Sequence, residues 1–153
     1  MAVRTKYFFS FGIVVFLLSS CSDSCYWRYQ RIKTEPACYS SELIHYVPKN
    51  SCNNIDIEFL KGEYGILGYI GVYCKEIPPA SINPKTSEVV IAIENQAMRY
   101  YALRMEGGQR LLLPEAATDQ LMAAFCAGKC AIIGLEGYYA EVSGIDFPSF
   151  IVN

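Results

Sequence analysis

The feature that most constrains the fold is a run of short apolar or alternating segments, separated by turn residues, that fills residues 55–153. At its start, Ile55, Ile57 and Phe59 occupy every second position, with acidic side chains between them. A period of two residues is typical of a strand with one buried face. Because the links between segments are of hairpin length, we expect neighbouring strands to pair antiparallel.

Seven segments have strand-like patterns and one has the pattern of a helix. Pro114 favours a helix start because the first turn needs no N–H from it, and Gly128 favours a helix end. The sequence therefore predicts a mainly β, β-rich α+β fold: an antiparallel sandwich or partial barrel of about seven short strands, with one helix near 114–127. The predicted strands are 55–60, 66–77, 88–94, 97–105, 111–113, 131–134 and 138–142.

Residues 21–54 show no clear period and hold prolines, asparagines and several cysteines. We predict a loop-rich segment there, held by disulfide bonds, before a globular β-rich domain at 55–153. An aromatic and basic run within it is a candidate membrane-contact collar, because aromatic rings favour the bilayer interface and basic side chains favour anionic head groups. The alternative is an ordinary strand or loop that holds aromatics. The collar residues are Tyr26, Trp27, Arg28, Arg31 and Lys33.

Residues 1–20 have a basic start followed by a short apolar run, the order of an export signal. Arg4 and Lys6 precede an apolar run at 7–18, which is too short to span a hydrocarbon core of about 30 Å and suits a signal-peptide core. The run ends in Leu18-Ser19-Ser20-Cys21, which resembles the lipobox of bacterial lipoproteins.

The resemblance implies that residues 1–20 are a cleaved signal peptide and that the thiol of Cys21 carries lipid. Two or more acyl chains would hold the protein stably on a bilayer of the cell envelope. Ser22 follows the cysteine where lipoproteins retained at the inner membrane carry Asp, so the resemblance favours the outer membrane. An uncleaved signal anchor and a eukaryotic secretory signal are the alternatives.

The charge balance of the mature chain bears on its partners. The sequence has 13 basic and 15 acidic residues, and loss of Arg4 and Lys6 would leave 11 basic residues and a net charge of −4. Nucleic acid is therefore not an expected partner, because phosphate binding depends on clustered Lys and Arg.

Six cysteines remain once Cys21 is assigned to lipid. An even number in an exported chain favours up to three disulfide bonds, with the pairing left open. Zinc ligation is a poorer interpretation because the cysteines lack two close ligand pairs, and a redox site is weak because Cys126 and Cys130 are not C-x-x-C. We predict no metal and no cofactor. The candidate disulfide residues are Cys25, Cys38, Cys52, Cys74, Cys126 and Cys130.

No nucleotide, metalloprotease or nucleophile-elbow motif is present in the sequence. His45 is the only histidine, and a lone histidine is more often structural than catalytic. Asp56 and Glu58 share one strand face, roughly 7 Å apart, a spacing that suits a glycosidase pair. Two acids on a solvated face are far commoner, so we predict no catalytic residue.

Tyrosine points to a binding role more directly than the acidic residues point to catalysis. Eleven of the twelve tyrosines would remain after cleavage of the signal. Two doublets lie on predicted strands, and adjacent strand residues face opposite ways. One tyrosine of each doublet is therefore expected outside, as candidate partner-binding surface, unless the rings serve cross-strand packing. The doublets are Tyr100-Tyr101 and Tyr138-Tyr139.

These features together predict a lipid-anchored envelope protein whose β-rich domain binds an envelope protein or polymer without catalysis. Its expected partners are the bilayer, through Cys21, and that protein or polymer. The alternative is an envelope enzyme, either a thiol redox protein or a carbohydrate-acting hydrolase.

Overall fold

The computed structural model of this chain describes residues 26–33, 40–48 and 55–152. Over these residues the chain forms nine strands in one antiparallel sheet and one α-helix, so the predicted β-rich fold with a single helix is confirmed. The elements are β1 (Tyr26–Lys33), β2 (Ser40–Val47), β3 (Asp56–Gly62), β4 (Gly65–Gly71), β5 (Thr86–Ile93), β6 (Gln96–Arg104), β7 (Arg110–Leu112), α1 (Glu115–Cys126), β8 (Cys130–Leu135) and β9 (Tyr138–Ser143), followed by a 3-10 turn at Ser149–Val152.

The sheet consists of two meanders joined side by side. Strands β1 to β4 pair in chain order, and β5, β6 and β7 form a second meander whose last strand pairs with β4. Helix α1 then carries the chain to β8, which pairs with β5 and leads into β9. The resulting order is β1-β2-β3-β4-β7-β6-β5-β8-β9.

The sheet is strongly curled, because its two edge strands approach each other. A flat sheet of this size would hold β1 and β9 roughly 38 Å apart, at about 4.8 Å per strand. Trp27 of β1 nevertheless donates a hydrogen bond from Nε1 to the Ser143 carbonyl of β9, at 2.8 Å. The result is an open sheet that nearly closes on itself, which corresponds to the partial barrel of the two predicted architectures.

An aromatic cluster fills the space inside the curled sheet, next to α1. The Trp27 ring lies 4.8 Å from the Phe147 ring and 5.0 Å from the Phe125 ring of α1. The helix can approach β4 closely because Gly68 has no side chain: a Cβ there would lie 2.7 Å from Thr118 Oγ1. Inner-face residues therefore form one core shared by both meanders and α1.

The predicted helix bounds agree with the structure to within one residue. Pro114 is the residue that precedes the first helical turn, and its carbonyl accepts hydrogen bonds from the backbone N–H groups of Ala117 and Thr118. After the helix, Gly128 has φ +68°, a left-handed conformation that glycine adopts without strain.

The prediction of a loop-rich segment at 21–54 is wrong for its described part, which forms β1 and β2. Among the β1 side chains that the structure describes, at 27–33, only Trp27 is buried, so no alternation marks this strand in the sequence. The sheet consequently has two strands more than the seven predicted. The second predicted strand, 66–77, is also shorter in the structure, because β4 ends at Gly71.

Candidate functional site

A histidine of β2 and two acidic side chains of β3 cluster on the outer face of the sheet, turned away from α1. His45 stands directly opposite Glu58 in the β2–β3 register. Asp56 and Glu58 are two residues apart in β3, so their side chains share this face. One nitrogen or oxygen from each of the three side chains lies within 4.8 Å of the other two. We refer to His45, Asp56 and Glu58 as the His45 cluster.

Asp56 is the most deeply placed member of the His45 cluster, with 7% of its surface exposed. Its Oδ1 atom is in direct contact with His45 Nε2. Its Oδ2 atom accepts a hydrogen bond of 2.6 Å from the hydroxyl of Tyr73, in the loop after β4. The two oxygens of this carboxylate therefore face different partners.

Glu58 is held by a cation from β7. Its Oε2 atom accepts a hydrogen bond from the Arg110 guanidinium, which also lies over the Tyr69 ring at 4.2 Å from the ring centroid. An Arg above an aromatic face gains a cation–π attraction in addition to the ion pair. Residues of β3, β4 and β7 thus fix the direction in which this carboxylate points.

A groove of about 350 Å³ opens beside the cluster. Both carboxylates line it, and Tyr69, Tyr73 and Arg110 form its walls. Partial burial of the Tyr73 hydroxyl, its hydrogen bond to Asp56 and the nearby carboxylate charges raise the pKa of Tyr73 to about 12. Tyr73 is therefore a neutral hydrogen-bond donor at physiological pH.

A second groove, of about 550 Å³, lies on the same outer face over the other half of the sheet. Val90 and Gly134 form its floor, where they are register partners in β5 and β8, and Tyr101 of β6 forms one wall. Tyr139 stands opposite Gly134 in the β8–β9 register, on the far side of the floor. We refer to this groove, which Tyr101 lines and next to which Tyr139 follows on β9, as the Tyr101 groove.

The tyrosine doublets behave as strand alternation predicts. Tyr138 is buried, and its hydroxyl donates a hydrogen bond to the Lys75 carbonyl, whereas Tyr139 is 63% exposed. Tyr100 packs against the core and donates to Gln120, whereas Tyr101 is 41% exposed. Of the four predicted binding tyrosines, only the second of each doublet offers its ring to a partner.

The three described cysteines form no disulfide bond with one another, and the predicted pairing is otherwise untested. No two described cysteines lie at bonding distance, and Cys126 and Cys130 are free and exposed. Cys126 ends α1 and Cys130 begins β8, so the chain turns at Gly128 between the two thiols. Cys74 is exposed in the loop after β4. The other candidates, Cys25, Cys38 and Cys52, lie outside the described residues, as does the predicted lipid site Cys21.

Trp27, one residue of the predicted membrane-contact collar, does not face outward. Trp27 is 8% exposed and belongs to the core, because the indole fills the space between the sheet edges. Arg31 is exposed but forms an ion pair of 2.9 Å with Glu42, and that hydrogen bond lowers the pKa of Glu42. Arg28 and Lys33 are exposed, and nothing is described of the Tyr26 side chain.

Within the described ranges, no helix is long and apolar enough to cross a membrane. The single helix of twelve residues instead packs against the sheet.

Sequence reasoning found two members of the His45 cluster and missed the third. The pattern of β3 placed Asp56 and Glu58 on one face, as the structure shows. His45 was set aside as a lone histidine because β2 was not predicted. A signal was present in the sequence: Ile44 and Tyr46 alternate around His45 as Ile55, Ile57 and Phe59 alternate around the acids.

Neither a protein-family model, nor a curated protein sequence, nor a solved structure shows a significant match to this chain.

Proposed function

We propose that this chain is a lipid-anchored protein of the bacterial cell envelope that binds an envelope protein or polymer in the Tyr101 groove, without catalysing a reaction. The observation that carries the binding role is the exposure of Tyr101 and Tyr139 on one face, across a floor without bulky side chains. Tyrosine offers a large rigid ring and a hydroxyl group, and it is enriched at binding hot spots.

The floor of the groove supports this role because it is open. A Cβ added at Gly134 would meet nothing nearer than Val90 Cβ at 3.9 Å, so space remains above the sheet. Glu88 of β5 lies on the same face and forms an ion pair of 3.2 Å with Arg99 of β6. The groove therefore combines an aromatic wall with a polar rim, which is the usual anatomy of a protein interface.

The anchoring role rests on the lipobox-like Leu18-Ser19-Ser20-Cys21. Strand β1 begins at Tyr26, five residues after Cys21, and five residues span at most roughly 18 Å. A lipid on Cys21 would thus keep the domain close to the bilayer, so its partner would be another component of the same envelope.

Site-specific photo-crosslinking tests the binding role. A photoreactive phenylalanine analogue replaces Tyr101 or Tyr139 in the full chain, and Tyr64, which is 98% exposed in the β3–β4 turn, is the matched control. We expect one shared crosslinked species in the intact envelope from positions 101 and 139, and its loss when Gly134→Leu fills the floor. Equal capture from position 64 would contradict the proposed groove.

Labelling with radioactive palmitate tests the anchor separately. The wild-type chain should incorporate label and remain with membranes, and Cys21→Ala should do neither. If the two chains behave alike, the anchor is wrong, whatever the crosslinking shows.

A second candidate, a carbohydrate-acting hydrolase, is favoured by one observation: Asp56 and Glu58 line the same groove. Glycoside hydrolysis uses two carboxyl groups in one cleft. Release of reducing sugar from envelope polysaccharide by the wild type, abolished in both Asp56→Asn and Glu58→Gln, would establish this activity. The thiol redox alternative has less support, because partial burial raises the pKa of Cys126 and a reactive thiol needs a lowered one.

A further inference from the structure

We propose that the His45 cluster is a binding site for a divalent transition-metal ion, with His45, Asp56 and Glu58 as its protein ligands. The site lies on β2 and β3, whereas the Tyr101 groove lies on β5, β6, β8 and β9. The two proposals therefore depend on different residues of the same face.

The first argument is the donor set. One imidazole nitrogen and two carboxylate oxygens are ligands that zinc and its neighbours accept, at about 2.0–2.2 Å from the metal. Two such ligands on a tetrahedral ion are roughly 3.4 Å apart. The three candidate atoms already lie within 4.8 Å of one another, so small side-chain rotations suffice to bring them to an ion.

The second argument is the state of two buried atoms. His45 Nε2 and Asp56 Oδ1 are buried and contact each other, yet neither forms a hydrogen bond with any described residue. The Asp56 side chain is only 9% exposed, so Oδ1 has little access to bulk water. Buried polar atoms are nearly always hydrogen-bonded. A metal ion would satisfy both atoms once side-chain rotation separates them to the roughly 3.4 Å of two ligands on one ion.

The third argument is the support around the ligands. Asp56 uses Oδ2 for the Tyr73 hydroxyl and Glu58 uses Oε2 for Arg110, so each carboxylate has one oxygen held and one left for an ion. Metal-ligating carboxylates are commonly held in this way by hydrogen bonds from surrounding residues. Tyr73 and Arg110 are therefore positioning residues in this proposal.

The local charge is compatible with a cation. Asp56, Glu58 and the groove residue Glu106 bring three negative charges to this part of the face. Arg110 and Arg28, the register partner of His45 in β1, bring two positive charges. These five groups sum to a net charge of −1, so this part of the face attracts a cation. Three protein ligands leave a coordination position for water or an external donor from the groove.

Metal titration of the purified full chain in detergent tests the site. Zinc chloride is titrated calorimetrically after the thiols are blocked with N-ethylmaleimide, because exposed cysteines would also bind zinc. We expect one equivalent of zinc to bind to the wild type, and at least tenfold weaker binding to His45→Gln and to Asp56→Asn. Glu42→Gln is the matched control, because it removes from β2 a carboxylate that is ion-paired with Arg31 on the neighbouring strand β1. This variant should bind zinc as the wild type does.

Two further measurements distinguish loss of the zinc site from misfolding and from zinc binding by cysteines. Tyr73→Phe leaves all three ligands in place and removes only the support of Asp56, so zinc affinity should fall about tenfold in a chain that still folds. Cobalt(II) should give visible d–d bands without a thiolate charge-transfer band. No binding by the wild type, equal binding by His45→Gln, or a thiolate band that disappears on blocking the cysteines would each overturn the proposed site. None of these results bears on crosslinking at the Tyr101 groove.

Discussion

The two halves of the outer face make opposite use of the same strand geometry. In the half formed by β2, β3, β4 and β7, the His45 cluster is half-buried, with Asp56 in contact with His45 and Glu58 paired with Arg110. In the half formed by β6, β5, β8 and β9, Tyr101 and Tyr139 expose their rings. Alternation places side chains on this face in both halves, and the residue type decides whether they interact with each other or remain open.

Because of this difference, we expect mutations in the two halves to affect different properties of the protein: folding stability or partner binding. Withdrawing one partner from a buried ion pair leaves an uncompensated charge, which costs much more than the pair contributes. Removing an exposed ring from a groove affects folding little. The polar half should therefore respond to mutation through the free energy of unfolding as well as through zinc affinity, and the aromatic half through the affinity for a partner alone.

The largest expected effect on folding comes from Asp56→Ala. The substitution removes the acceptor of the Tyr73 hydroxyl and the carboxylate beside His45, so it should lower the free energy of unfolding by about 3 kcal/mol. Tyr101→Ala should change it by less than about 0.5 kcal/mol. Urea denaturation of both variants measures the two values, and a similar loss in both would remove the distinction between the halves.

The next effect concerns binding in the aromatic half. The double variant Tyr101→Ala, Tyr139→Ala should weaken partner binding by about 2 kcal/mol, because exposed aromatic anchors carry a large share of interface energy. Its urea midpoint should stay close to that of the wild type. Quantitative competition against the crosslinked species measures the affinity. Tyr64→Ala, with a ring outside the groove, should compete as well as the wild type does.

Tyr73→Phe should have a smaller effect in the polar half. The missing hydroxyl leaves Asp56 Oδ2 without its donor, which should lower the free energy of unfolding by about 1 kcal/mol. Tyr64→Phe removes a hydroxyl from a fully exposed ring and should change nothing measurable. A Tyr73→Phe chain as stable as the wild type would show that this hydrogen bond does not support the cluster.

The smallest effect is a pH dependence that arises from the same residue. The folded-state pKa of Tyr73 is raised to about 12 from an ordinary value of 10.0, so the folded state holds this proton more tightly than the unfolded state. The associated stability is present below pH 10.0 and is lost as pH rises through about 12. The advantage of the wild type over Tyr73→Phe in urea denaturation should therefore shrink across this window and stay constant below it.

Period-two alternation sufficed to predict most of the sheet, and helix-end residues sufficed to predict α1. All seven predicted strands exist. Strands β3, β5, β8 and β9 alternate buried and more exposed side chains over much of their length, as the pattern in the sequence predicts. Strand β1 was not predicted because, of its described side chains, only Trp27 is buried in the core. Its aromatic and basic residues then favoured a membrane collar, and only the curl of the sheet shows why this indole is buried.

Some residues of the two candidate sites could be predicted from the sequence, and others could not. Exposure of Tyr101 and Tyr139 follows from alternation within single strands. The His45 cluster depends on the β2–β3 register, which no pattern inside either strand specifies. Arg110 is still harder to foresee, because it reaches Glu58 from a strand 52 positions later in the chain.

The most direct test of two distinct sites on one face is an amide chemical-shift map of the full chain in detergent. Zinc chloride should shift resonances of β2, β3, β4 and β7 only, and the crosslinked partner should shift those of β5, β6, β8 and β9 only. Shifts from both additions in the same strands, or no shift from either, would contradict the separation of a metal site from a partner-binding groove.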